Sequence, residues 1–124
     1  PNVTSFAGTF NYCSKLTSIP ENLFANCSNV TSFYGTFEYC SNLTSIPEKL
    51  FDNCENVENF WATFYGCNNL TGNAPELWKR GTNSVGNEYN GNPNGQACFK
   101  WCTNLKNYNE IPEYWKTGND GSPS

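Results

Sequence analysis

The sequence predicts an α/β solenoid of about four 27-residue coils, each with short strands and short helical turns. Three observations carry this prediction. The string Asn2-Val3-Thr4-Ser5-Phe6 returns as Asn29-Val30-Thr31-Ser32-Phe33 and, degraded, as Asn56-Val57-Glu58-Asn59-Phe60, 27 residues on each time. Leu16-Thr17-Ser18-Ile19-Pro20-Glu21 returns at the same interval as Leu43-Thr44-Ser45-Ile46-Pro47-Glu48. A half-step is marked by F-x-x-C at Phe10/Cys13, Phe24/Cys27, Phe37/Cys40, Phe51/Cys54 and Phe64/Cys67, in alternating steps of 14 and 13 residues. A fixed period of this length marks units that bury their apolar faces only against their neighbours.

Each half-unit reads as a short extended segment followed by a helical turn. Threonine and β-branched residues favour the extended part. Pro20 and Pro47 sit where a helix begins, with Glu21 and Glu48 in its first turn. Leu23, Phe24 and Cys27 have the spacing of one buried helical face. Ser28-Asn29 and Ser41-Asn42 are turn formers that bend the chain into the next segment. The period fails after Thr71, with Gly72 to Trp78 a distorted echo of the proline half. Residues 79–96 are rich in Asn, Gly and Ser and read as an inserted surface loop. The rhythm resumes at Ala97-Cys98-Phe99-Lys100-Trp101-Cys102, and Ile111-Pro112-Glu113-Tyr114-Trp115 restates the proline motif. The coils thus occupy 1–115, with a C-terminal cap at about 107–115, and 116–124 form a flexible polar tail.

At 124 residues the chain is one domain, large enough for a continuous core if its units stack. A net charge of −4 without a basic cluster excludes nucleic acid as a partner. No apolar run reaches the roughly 20 residues that span a bilayer. The chain starts inside a repeat, so an upstream domain or neighbouring subunit is expected to cover the N-terminal coil. Cys13, Cys27, Cys40, Cys54, Cys67 and Cys102 are locked to the repeat and read as a structural ladder of reduced thiols at turns. Cys98 stands where Thr36 and Thr63 stand in other units, leaving a Cys67–Cys98 and a Cys98–Cys102 bond as open alternatives.

The strings T-F-x-x-C-S-x-L-T-S-I-P-E-x-L-F and N-V-T-S-F resemble the BspA-type leucine-rich repeats, over about 2–78 and 97–115. Ala74 to Trp78 and Ile111 to Lys116 resemble the C-terminal units of that group. The resemblance implies a leucine-rich-repeat-like solenoid, extracellular on a cell surface or virion surface. It implies a non-enzymatic adhesion or recognition module whose partners are host or bacterial surface proteins or glycans. The alternative is a structural component of a larger assembly, such as a phage tail appendage or surface fibre.

The residues point the same way. Histidine is absent, which removes the commonest general base and metal ligand. The cysteine spacings do not suit a zinc site, and the carboxylates are too scattered for a calcium loop, so no catalytic residue, metal or cofactor is expected. The sequons at Asn2, Asn26, Asn29, Asn42 and Asn69 fall on repeat-locked turns and read as turn residues. Aromatics supply the binding signal. The position after the core phenylalanine reads Ala7, Tyr34, Trp61, and the position before the cysteine reads Tyr12, Tyr39, Gly66, Trp101. Stacked one unit apart, such residues form aromatic columns suited to sugar rings or protein hot spots, or else seal the seam between units. Tyr34, Trp61, Tyr39 and Trp101 are therefore the candidate ligand-binding residues, with Tyr89 in the inserted loop a further one.

Overall fold

The computed structural model describes residues 2–81 and 92–121. Among them there is no α-helix and no β-strand, which overturns the α/β class. Among the described residues regular structure includes single 3₁₀ turns at Leu77–Lys79, Tyr108–Glu110 and Glu113–Trp115 and isolated parallel bridges Ser5–Ser32, Ser32–Asn59 and Asn59–Asn94. The repeating strand–helix coil expected of a leucine-rich-repeat-like solenoid is not formed. The segments read as helical at Pro20 and Pro47 are turns, and those read as strands are extended links.

The backbone satisfies itself in another way. In the half beginning at Phe6, alternate N–H groups leave their own layer: Phe6 donates to Ser32 O (3.0 Å), Gly8 to Tyr34 O (2.8 Å), Phe10 to Thr36 O (2.8 Å) and Tyr12 to Glu38 O (2.7 Å). The intervening Thr9, Asn11 and Cys13 donate three residues back, to Phe6, Gly8 and Phe10. The next layer repeats the scheme from Phe33, Gly35, Phe37 and Tyr39, and the third from Phe60, Ala62, Phe64 and Gly66. Buried N–H groups must be paired, and here they are paired without helix or sheet.

Side chains reinforce the register. Thr36 and Thr63 hydroxyls donate to Phe6 O and Phe33 O, each at 2.9 Å. Asn42, Asn56 and Asn69 donate to Ser14, Ser28 and Ser41 carbonyls, so two of the sequon asparagines hold layers together. Inside, phenylalanines stack in files: Phe6, Phe33 and Phe60 at 5.8 Å spacing, and Phe10, Phe37, Phe64 and Phe99 at 5.3–5.7 Å. Phe24 and Phe51 form a third file that meets the first edge-on, near 5 Å. Trp115 closes the C-terminal end over Phe60 and Phe99, and the missing side chain of Gly95 makes room for its ring. Asn107 seals the same end by exchanging two hydrogen bonds with the Ala74 backbone.

The N-terminal layer is less enclosed. Phe33, Phe37 and Leu43 are fully buried, whereas their counterparts Phe6, Phe10 and Leu16 are only partly covered. Phe37→Ala is therefore expected to cost about 3–5 kcal/mol, and Phe10→Ala less than half of that. Urea unfolding of the two variants checks this, and equal costs would show that the first layer packs as tightly as the second.

Candidate functional site

One face carries most of the aromatic residues outside the core. Tyr34 stacks on Trp61 at 5.0 Å, and Tyr12 stacks on Tyr39 at 4.9 Å. Tyr39 then meets Tyr65 edge-on at 5.4 Å and Trp101 at 6.4 Å, while Tyr65 meets Trp101 at 5.2 Å. Ala62, Tyr65 and Ala97 form the buried floor of this cluster. Lys100 Nζ lies about 5 Å from the Tyr65 and Trp101 rings, a favourable cation–π position.

The backbone explains why these rings face outward. Tyr12, Tyr39 and Trp101 all have left-handed φ, at 59°, 58° and 69°. The equivalent residue of the third layer is Gly66, with φ 76°. A Cβ there would lie 2.5 Å from the Tyr39 ring, so glycine leaves the slot into which Tyr39 leans toward Tyr65 and Trp101. Tyr12 is 63% exposed and Trp101 49%, with Tyr39 half-buried between them.

The other candidates are placed differently. Tyr34 donates its hydroxyl to Asp120 O at 2.6 Å, and Trp61 donates Nε1 to Asn119 O at 2.9 Å. Lys100 Nζ donates to Gly118 O at 2.6 Å. Residues 118–121, part of the expected tail, therefore lie across the Tyr34–Trp61 pair. Tyr89 falls outside the described residues. Tyr12, Tyr65 and Lys100 belong to the face but were not singled out as binding residues. Their signal was present, because Tyr65 and Lys100 replace Glu38 of the second layer at the same repeat position.

Glu38 is the charged residue of this region. It is 7% exposed, its carboxyl meets that of Asp120, and its Oε2 has no hydrogen-bond partner. Burial, and then Asp120, push it up to about 8.

Cysteines of successive layers donate to carbonyls of the layer before. All seven are free thiols, so neither proposed Cys98 disulfide is present. Cys40, Cys67 and Cys102 donate Sγ–H to Phe10, Phe37 and Phe64 carbonyls at 3.0–3.1 Å, and Cys54 reaches Phe24 O at 3.8 Å. Burial pushes Cys40 and Cys54 up to about 11 and raises Cys67, Cys98 and Cys102 as well, so thiolate is scarce at neutral pH. Among the described residues no group of three or more His, Cys, Asp or Glu is placed to hold a metal ion.

A groove of about 500 Å³ runs beside Asp52, Glu55 and Glu58. Arg80 at its edge is spent on the Cys54 and Phe51 carbonyls and on the Phe60 ring. It offers no aromatic platform. Compared with known proteins, the chain matches no family model, no curated protein and no solved structure.

In the native protein, thiol reagents are expected to modify Cys13 and Cys27 of the first layer and to spare the five buried cysteines until unfolding. Peptide mapping after brief alkylation checks this; native labelling of Cys67 or Cys102 would contradict a sealed thiol file.

Proposed function

We propose that the chain is a non-enzymatic recognition or adhesion module. It is displayed outside the cell, on a cell or virion surface, and binds protein or glycan ligands through the Tyr12–Tyr39–Trp101 column, with Tyr34 and Trp61 alongside. One observation carries this reading: bulky aromatic residues sit at left-handed positions that glycine fills in the third layer. A non-glycine residue there costs about 1–2 kcal/mol. Stability alone favours glycine at all of them, and strain of this kind collects where a side chain is needed for contact. The rings are presented as flat apolar surfaces with hydroxyl or indole N–H at the edge, which suits a sugar face or an interface hot spot.

Tyr12→Ala with Tyr39→Ala is expected to weaken ligand binding by about 2 kcal/mol or more, roughly thirtyfold in Kd. The measurement is titration against a panel of hexose and N-acetylhexosamine oligosaccharides and candidate surface proteins. A ligand bound equally well by the double variant would remove the column from the site.

A further inference from the structure

The end of the chain is bound where the sequence gives it no apolar reason to bind. Residues 118–120 present three consecutive carbonyls to three donors of the aromatic face: Lys100 Nζ, Trp61 Nε1 and Tyr34 Oη. Gly121 lies so close to the Tyr34 hydroxyl and Trp61 ring that any Cβ there would collide with them, and its φ of 82° is left-handed. The Asn119 side chain accepts from Gly121 N at 3.0 Å and fixes the bend. This segment covers half of the aromatic face and leaves Tyr12, Tyr39 and Trp101 open.

Beneath it lies a cost. Asp120 is 9% exposed and its carboxyl meets the equally buried Glu38, with Glu38 Oε2 unpartnered. Two ionised carboxylates in contact, both out of water, repel strongly, and the docked segment is held only while the pair keeps a proton. The other groups facing Glu38 are Tyr34 of its own layer, Tyr12 of the layer before and Cys67 of the layer after; Tyr39 and Tyr65 line the same region. Partial desolvation and the nearby carboxylates raise Tyr12 and Tyr34, burial raises Cys67 and puts Tyr39 near 12, so these stay neutral at physiological pH. Lys100 is committed to Gly118 O and does not neutralise the pair.

We propose that residues 117–121 are a releasable strap over the Tyr34–Trp61 half of the aromatic face, and that the Glu38–Asp120 carboxyl pair is the latch that opens it as pH rises. Docking takes up a proton. It is therefore strongest in mild acid and weakens as pH rises from the ordinary carboxylate range through about 8, the docked value for Glu38. The strap regulates the aromatic face proposed above, but its position is read without any ligand. Failure of the latch would leave the open Tyr12–Tyr39–Trp101 column as it stands, and failure of ligand binding would leave the latch.

The test is the Trp61 indole N–H resonance of the full chain, assigned with Trp61→Phe. Gly121→Val, which cannot dock, supplies the released reference. The wild-type resonance is expected to sit at the docked position near pH 5 and to reach the Gly121→Val position by about pH 9, the docking constant falling up to about tenfold per pH unit. Glu38→Gln and Asp120→Asn each remove one ionisable partner while keeping a hydrogen bond, and both are expected to stay docked throughout. Either one folding normally suffices. A wild-type resonance that does not move, or a Glu38→Gln resonance that moves like wild type, would overturn the latch. So would re-docking of the wild-type strap at high pH by added calcium, which would make a cation rather than a proton what the pair holds.

Discussion

The fold depends on how its backbone N–H groups are divided. Along residues 6–13 and their repeats, one N–H turns back three residues and the next crosses to the following layer. Neither a helix nor a sheet divides them so. A helix keeps every bond within the segment, and a strand sends them to neighbouring strands. The alternate scheme fixes both the tight turns inside a layer and the register between layers, because a slip of one residue would turn crossing donors into returning ones. The threonine, cysteine and asparagine ladders then add side-chain donors to carbonyls of the layer before.

That scheme also determines where function can sit. Each layer turns sharply at a pair of left-handed residues four apart: Gly8 and Tyr12, Gly35 and Tyr39, Ala62 and Gly66, Ala97 and Trp101. At three of the four second positions, Tyr12, Tyr39 and Trp101, the side chain projects outward, and successive layers set these side chains in a column. The scaffold thereby acquires a row of rings on one face. Gly66 interrupts the column and lets Tyr39 lean across the gap, so the rings touch although one member is missing.

Much of this was legible in the sequence, and what was not has a physical cause. Period and core were readable because Phe33, Phe37, Cys40 and Leu43 recur at fixed positions, and all are fully buried. The secondary structure was not. F-x-x-C has the i, i+3 spacing of a helical face, but a chain of three-residue turns produces the same spacing. Thr36 and Thr63 look like strand residues, yet they are placed for hydroxyl bonds to the layer before. Side-chain pattern reports which residues face inward, not how the backbone between them is bonded.

The strap shows the other limit of pattern. Residues 116–121 carry no apolar rhythm, and residues 118–120 bind through main-chain carbonyls, which every sequence possesses alike. Their docking is visible only from the receiving side, where Tyr34, Trp61 and Lys100 all hold donors in one line. Glu38 is the complementary case. It breaks the column Asn11, Glu38, Tyr65, Lys100 as a single acidic member, but only the fold reveals that Asp120, 82 residues later, lies against it. A segment fastened by carbonyls alone gains little from side-chain burial, so one buried charge is enough to decide whether it stays. That is why a pair of carboxyls, and not the aromatic contacts, sets the condition for release.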